Sequence, residues 1–188
     1  NEIDYDNLEI VVVDGGSIDG TKKFLKNYKD KKIQFHLLNA DYGSAYSHTY
    51  AMKLAKGKYL ITLDDDCYLA PEVVSNTVNI FEKYDNLASI GYGLINPKNK
   101  INYKSLQELK NFNLKNYDIN NSHEIKNYAS AQAFRTSVLK EINYMDLNWS
   151  WSTRTEDLEL NYKIIAHGYN SILIPELMAF HKVSPSNR

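Results

Sequence analysis

The stretch that decides the fold is YLITLDDD at residues 59–66, an apolar run that passes directly into three aspartates. Tyr59–Leu63 has the length and the β-branched content of a strand. A second apolar run, LEIVVV at residues 8–13, stops in the same way at Asp14-Gly15-Gly16. Because this run shows little polar alternation, it predicts a strand that is buried on both faces.

Strand and helix candidates alternate along the rest of the chain. This alternation predicts an α/β sandwich with a mostly parallel central sheet. In such sheets ligands bind beyond the carboxyl ends of the strands, so we expect both acidic turns to face one crevice. The predicted strands are residues 33–38, 88–94, 129–134 and 171–174; the predicted helices are residues 20–28, 44–55, 72–84, 105–114, 137–142 and 156–167.

Composition limits the classes of function. The chain has 188 residues, which suits one domain with a single sizeable core. The formal net charge of −1 offers no basic field for nucleic acid. Cys67 is the single cysteine, which excludes an internal disulfide, and no apolar run approaches the roughly 20 residues that span a bilayer. These features predict a soluble cytoplasmic domain.

Asp64-Asp65-Asp66 suggests a metal site. Adjacent carboxylates repel one another, and the repulsion grows when they are partly desolvated. A bound cation removes that cost, and oxygen ligands of this kind suit Mg²⁺ or Mn²⁺. A solvated acidic turn that caps the next helix explains the same residues, so both interpretations remain open at this point.

The turn after residue 13 offers a second set of candidate ligand contacts. Asp14 can accept hydrogen bonds from a base or a ribose, while Gly15 and Gly16 let a ligand approach the backbone closely. Ser17 is equally well explained as a turn former. The turn is not a P-loop, because no Gly-Lys-Ser/Thr sequence closes it.

Glu156 and Asp157 open a predicted helix, where the helix dipole favours carboxylates. One of the two is a candidate general base, which requires access to a cleft and reach to a hydroxyl. Trp149 and Trp151 lie just upstream, and their rings suit either stacking on the apolar face of a sugar or a place in the core.

Taken together, these segments resemble the family 2 glycosyltransferases. VVVDGGSIDGT at residues 11–21 is similar to the first signature of that family, and LDDD at residues 63–66 is similar to its D-x-D motif. TEDL at residues 155–158 resembles the later E-D motif, and Gly168 with His181 resembles the usual ending. The resemblance implies the GT-A fold, a Rossmann-like α/β/α sandwich.

The resemblance also implies a role for each motif. Asp14 would contact the nucleotide base with Asp41 near it, and Gly15, Gly16, Ser17, Asp64 and Asp65 would complete the nucleotide-sugar site. Asp66 would coordinate Mn²⁺ or Mg²⁺, with Asp64 and His181 as further ligands. Asp157, or its neighbour Glu156, would deprotonate the acceptor hydroxyl for inverting attack, and Trp149 and Trp151 would contact the acceptor.

Departures from the family pattern refine these expectations. The pattern normally begins with a strand and a helix that precede the region matched here, so residues 1–188 are interpreted as one catalytic domain lacking that first strand and helix. Gly15 replaces a frequent second aspartate. The Q-x-x-R-W motif of processive synthases is absent, which predicts transfer of a single sugar.

For partners, the resemblance predicts a nucleotide-diphosphate sugar, with UDP favoured, and a glycan, lipid-linked or protein acceptor. It predicts no nucleic acid, leaves room for peripheral membrane association at the inner face of the membrane, and is silent on oligomeric state. Two other functions use related chemistry: a nucleotidyltransferase, and a non-catalytic module that binds nucleotide sugars.

Overall fold

The structure, a computed structural model, describes residues 3–95, 123–124, 131–149 and 156–181. Strands and helices alternate up to residue 63, as predicted from the sequence, whereas the strands at residues 59–63 and 67–69 follow one another with no helix between them. The strands are β1 Ile10–Asp14, β2 Ile33–Leu37, β3 Tyr59–Leu63, β4 Cys67–Leu69, β5 Leu87–Ile95, β6 His123–Glu124, β7 Ala131–Arg135 and β8 Asn170–His181. The helices are α1 Thr21–Asn27, α2 Ser44–Leu54, α3 Val73–Lys83, α4 Thr136–Glu141 and α5 Glu156–Ala166, with a 3₁₀ turn at Leu147–Trp149.

β1 and β2 form a small parallel sheet of their own. Glu9, just before β1, accepts hydrogen bonds from the backbone N–H groups of Lys56 and Gly57, just before β3, at 2.5 and 3.0 Å. β1 and β3 therefore start beside each other. The expectation that residues 8–13 would be buried on both faces is wrong, because β1 is half-buried up to Asp14 and pairs only with β2 among the described residues.

The other strands form a six-stranded sheet in the order β3-β7-β5-β8-β4, with β6 also paired to β8. β5 and β8 pair in parallel, whereas β7 pairs antiparallel with both β3 and β5. This sheet is therefore mixed, and the expected mostly parallel pairing is wrong here. β4 adds a further antiparallel pair, with β8.

Helices cover both faces of the six-stranded sheet. On one face, Phe81 of α3 packs with Tyr92 of β5 and Ala133 of β7 in one hydrophobic cluster. On the other face, α2, α4 and α5 pack around Leu60 of β3 and Phe134 of β7 in a second cluster. The three layers give the predicted α/β/α sandwich.

Two further expectations differ from the structure or lie outside it, and α1 packs loosely. β8 continues through Pro175 instead of ending there; the pairing register shifts between Tyr92 and Gly93, and the backbone of Pro175 packs against Gly93, where a side chain would collide with it. α1 has no buried residue, and its Phe24 is 63% exposed. The helix predicted for residues 105–114 lies outside the described residues.

Candidate functional site

The turn after β1 is held by the Asp14 carboxylate. Its Oδ2 accepts hydrogen bonds from the backbone N–H groups of Gly16 at 3.3 Å and Ser17 at 3.2 Å. Lys22 Nζ lies 4.0 Å from the same oxygen, and Asp14 is only 5% exposed. The buried carboxylate therefore shapes the turn, a role that accounts for an aspartate here before any ligand is considered.

Gly16 brings this turn against a second acidic turn. Its φ of 100° is a conformation that favours glycine, and a side-chain carbon built on it would lie 2.5 Å from the Ala40 carbonyl carbon and 2.7 Å from Asp41 N. Asp41 Oδ1 in turn accepts a hydrogen bond from Gly43 N at 2.8 Å, just before α2. The Asp14 and Asp41 turns are thus in direct contact, at the end where both parallel strands finish.

α2 connects these turns to the aspartates that follow β3. A side-chain carbon built on Gly15 would lie 3.5 Å from Ser47 Oγ of α2. The next helix residue, His48, places Nε2 3.9 Å from Asp64 Oδ1. Since consecutive residues of one helix reach the two turns, Asp14-Gly15-Gly16 and Asp64-Asp65-Asp66 lie side by side at one edge.

The three aspartates differ in their surroundings. The Asp64 carbonyl accepts a hydrogen bond from Cys67 N at 3.0 Å, which closes the turn between β3 and β4. Asp65 is exposed at the tip of this turn. Asp66 Oδ2 lies 3.1 Å from Nε2 of His181, the last residue of β8. The structure thus brings together two of the predicted metal ligands, which are 115 positions apart in the chain.

Cys67 joins this pair, which sequence reasoning did not predict. Asp66, Cys67 and His181 each offer one ligand atom, and these atoms all lie within 4.8 Å of one another. Cys67 and His181 are register partners in the antiparallel β4–β8 pair, and directly opposed residues hold their side chains on one face of a sheet. Only this pairing, which joins distant parts of the chain, reveals the contribution of the thiol.

These three side chains fit a divalent cation. A carboxylate oxygen and an imidazole nitrogen are ligands that Mn²⁺ and related first-row metals accept, and a sulfur ligand moves the preference away from Mg²⁺. Asp64 lies two residues before Asp66, at the same turn. The donor set therefore fits a divalent cation, with the carboxylate suiting Mg²⁺ or Mn²⁺ and the imidazole and sulfur suiting softer metals.

The predicted general base lies at the start of α5. Asp157 is 8% exposed, and its carbonyl accepts a hydrogen bond from Asn161 Nδ2 at 2.9 Å. Asn161 Oδ1 accepts hydrogen bonds from the hydroxyls of Ser89 on β5 and Ser171 on β8, both at 3.0 Å. This buried network fixes the helix on the sheet.

The network also determines how far along the strands Asp157 lies. Asp157 precedes Asn161 by four residues, a helical rise of roughly 6 Å. Gly91 follows Ser89 by two strand residues, an advance of roughly 6.6 Å toward the carboxyl edge. β8 follows α5 after a short connection, so the helix runs antiparallel to this strand. The start of α5, with Asp157, therefore points toward the end of the sheet where Asp66 and His181 lie.

Three predicted residues, Glu156, Trp149 and Trp151, lie at or beyond the ends of the described segments. Glu156 is the first residue of α5 and Trp149 is the last residue of the 3₁₀ turn, but their side chains lie outside the described part of the structure. Trp151 lies outside the described residues altogether. Their roles stay predictions.

The chain is similar in sequence to known glycosyltransferases. The family model described as "Glycosyl transferase family 2" matches residues 1–143 of the chain. An uncharacterized glycosyltransferase of Rickettsia typhi is 37% identical over 97 residues, which are 50% of this chain and 30% of that protein. A UDP-Glc:alpha-D-GlcNAc-diphosphoundecaprenol beta-1,3-glucosyltransferase of Escherichia coli is 35% identical over 78 residues, 42% of this chain and 31% of that enzyme.

Solved structures share the whole fold. S. aureus TarS in complex with UDP-GlcNAc superposes with a TM-score of 0.74 and 16% identity, covering 99% of this chain and 53% of the other. A mannosyltransferase from Pyrobaculum calidifontis in complex with GDP-Man and Mn²⁺ gives a TM-score of 0.68 at 18% identity, covering 99% and 51%. At these identities the likeness establishes the GT-A fold. The chain spans about half the length of these solved proteins and about a third or less of the curated relatives described above.

Proposed function

The chain belongs to glycosyltransferase family 2, and we propose that it transfers a single sugar from a nucleotide-diphosphate sugar to an acceptor hydroxyl, with inversion at the anomeric carbon. The observation that carries the proposal is the meeting of Asp66 with His181 beside Asp64, at the edge where the Asp14 turn also lies. A diphosphate needs cationic compensation, and a nucleoside needs hydrogen-bonding turns. Both are available at this edge.

We propose Asp66 and His181 as the ligands of a divalent cation, with Asp64 as a further oxygen donor at the same turn. When bound, such a cation supplies Lewis-acid stabilisation of the charge on the departing nucleoside diphosphate. Support comes from two solved relatives of similar fold, a mannosyltransferase with GDP-Man and Mn²⁺ and GalNAc-T7 with UDP, GalNAc and Mn²⁺. The carboxylates suit both Mn²⁺ and Mg²⁺, and Mn²⁺ is the proposed ion because these two relatives were solved with it.

The nucleoside would lie against the Asp14 and Asp41 turns, which are in contact with each other. Asp14, Gly15, Gly16 and Ser17 form one wall and Asp41 the other. The missing side chain of Gly16 lets the Asp14 and Asp41 turns pack together, so both turns can contact one nucleoside. UDP is the proposed nucleotide because TarS was solved with UDP and with UDP-GlcNAc, and because the E. coli relative is named as a UDP-Glc enzyme.

Asp157 is the proposed general base. It would take the proton of the acceptor hydroxyl as that oxygen attacks the anomeric carbon, while the bond from this carbon to the diphosphate oxygen breaks. Asn161 holds the first turn of α5, which carries Asp157, on Ser89 of β5 and Ser171 of β8. Glu156, its neighbour, is the second carboxylate that we propose for this role.

The acceptor is proposed to be a glycan or a lipid-linked sugar. The E. coli relative carries a diphosphoundecaprenol-linked acceptor in its name, which favours a lipid-linked sugar and a place at the cytoplasmic face of a membrane. No helix in the described part of the chain is long and apolar enough to cross a membrane. Trp149 and Trp151 are proposed to stack on the acceptor sugar.

Calorimetry of UDP binding tests this function. With Mn²⁺ present we expect UDP to bind, and we expect EDTA or Asp66→Asn to weaken binding by about tenfold or more, since even the loss of an outer-shell partner of a metal ligand typically costs about 10- to 100-fold. Asp85→Asn, an exposed aspartate in the turn after α3, is the matched control and should bind like wild type. Asp157→Asn should keep UDP affinity and lose turnover.

Two results would contradict the proposal. UDP affinity that is the same with and without EDTA would remove the metal from the donor site. Sugar transfer that is unaffected by Asp157→Asn and by the corresponding change at Glu156 would remove the proposed base, and retained binding with no turnover in wild type would favour a binding module.

A further inference from the structure

Gln132 on β7 is a buried amide without hydrogen-bond partners. The residue is 1% exposed, and neither its Oε1 nor its Nε2 has a partner within the described part of the molecule. An amide offers one acceptor oxygen and two N–H donors, and leaving both ends unsatisfied in the interior is unfavourable. Buried side chains of this kind normally pair with protein, with ordered water or with a ligand.

The register of β7 places Gln132 near the candidate site. Gln132 pairs with Thr62 of β3 on one side and with Gly91 of β5 on the other. Thr62 is two residues before Asp64. Gly91 lies about as far along β5 as Asp157 lies along the neighbouring helix α5. Gln132 therefore lies between the strand that leads to the aspartate turn and the strand beneath the proposed base.

Further unpartnered atoms lie on the same side of the sheet. Alternation along β7 puts Gln132 on the face of Phe134, which packs in the cluster that contains Ala45 and Met52 of α2. α2 itself carries His48 Nδ1 and Thr49 Oγ1, both buried and without a partner. Across the described residues, these two atoms and the two ends of the Gln132 amide are the buried side-chain N and O atoms that lack a partner.

The chemistry of the amide selects its ligand. A phosphate has only acceptor oxygens and would leave Oε1 unpaired, whereas a cation would bind Oε1 and leave Nε2 unpaired. A hydroxyl both donates and accepts, so neighbouring hydroxyls of a sugar ring can satisfy both ends. We propose that the Gln132 amide binds hydroxyl groups of a sugar ring; this rests on the proposed function.

Two sugars occur in the proposed reaction, and the test separates them. In Gln132→Met, which keeps the length of the side chain and removes its polar atoms, we expect the unfolding midpoint to rise by about 2 °C or more, since the unsatisfied groups are gone. Gln34→Leu is the control, because Gln34 Nε2 donates to Glu9 Oε2 at 3.3 Å and its loss should not stabilise the protein.

Binding is measured with UDP, GDP, UDP-glucose, UDP-GlcNAc and GDP-mannose in the presence of Mn²⁺. If the amide binds the donor sugar, Gln132→Met loses about tenfold in affinity for the sugar nucleotide that wild type prefers and keeps its affinity for the free nucleotide. If it binds the acceptor sugar, donor affinities stay the same, and the thermal shift that free glucose, N-acetylglucosamine or mannose gives with UDP in wild type is lost.

The inference is overturned if Gln132→Met changes neither sugar response. It is also overturned if both Gln132→Met and Gln132→Leu lower the unfolding midpoint, because the amide would then have a structural partner in the free protein. Failure of the proposed function looks different, since wild type itself would then bind none of the five nucleotides.

Discussion

Replacement of Asn161 by alanine is the perturbation whose cost can be worked out most directly from the structure. Asn161 is 1% exposed and makes three hydrogen bonds, to the hydroxyls of Ser89 and Ser171 and to the Asp157 carbonyl. Asn161→Ala removes the shared acceptor of two buried hydroxyls. A buried polar group left without a partner costs about 1–3 kcal/mol, so we expect the free energy of unfolding to fall by roughly 3 kcal/mol.

Urea denaturation followed by circular dichroism measures this cost, and a double-mutant cycle assigns it. Ser89→Ala alone should cost about 1 kcal/mol, and its coupling to Asn161→Ala should be about 1 kcal/mol because the two residues share one hydrogen bond. The triple change Ser89→Ala, Ser171→Ala and Asn161→Leu replaces every partner in the hydroxyl network, so it should cost less than Asn161→Ala alone.

Asn161 is a positioning residue, which gives the prediction a functional side. Because it holds the first turn of α5 on the sheet, Asn161→Ala should lower kcat for sugar transfer while UDP affinity stays near that of wild type. A cost below about 1 kcal/mol for Asn161→Ala, or purely additive effects with Ser89→Ala, would refute the network as an energetic unit.

Two further changes test the turns around the site. Gly16→Ala should lower the free energy of unfolding by about 2 kcal/mol or more and weaken UDP binding, because the new side chain meets the Ala40–Asp41 backbone. Gly20→Ala is the control, because Gly20 has nearly the same φ of 104° and no atom within 4 Å, so it measures the cost of the backbone conformation alone. Equal losses of stability in the two variants would contradict the close approach at Gly16. Cys67→Ser should abolish the ultraviolet thiolate-to-metal charge-transfer band that we expect when wild type binds Cd²⁺, while Mn²⁺-supported UDP binding persists; absence of the band in wild type would exclude the thiol as a ligand.

The elements built from local pattern could be predicted from the sequence. β3 and the aspartate turn behind it follow from one apolar run and its polar stop. α2 and α3 follow from helical periodicity, within one or two residues of their observed ends. That the Asp14 turn and the Asp64-Asp65-Asp66 turn lie at one edge also follows, because it needs only that β1 and β3 finish at the same edge.

Features that depend on strand register could not be predicted. Cys67 meets His181 only because β4 pairs antiparallel with the last residues of β8, and no local signal states which strands pair. The antiparallel insertion of β7 between β3 and β5 is likewise non-local, and it is what places Gln132 beside Gly91. β8 passes Pro175 because the register shift removes that residue from the regular ladder, which the apolar pattern alone does not show.

The site residues divide in the same way. Asp14 was predicted as a ligand contact from its motif, yet the structure also gives its carboxylate a local role in the turn, which a motif cannot distinguish from binding. Asp66 and His181 are adjacent in space although the sequence separates them widely. The buried network of Asn161 was not predicted, since an asparagine inside a helix has no pattern that reveals its partners.

The claim on which this account depends is that one cation and one diphosphate share the edge formed by the turns after β1 and β3. A crystal of the protein with Mn²⁺ and UDP, with data collected for the anomalous signal of manganese, tests it directly. We expect one manganese peak in contact with Asp66 and His181, with the UDP diphosphate beside it and the uracil at the Asp14 and Asp41 turns. A manganese peak elsewhere, or UDP bound while no metal touches Asp66, would contradict it.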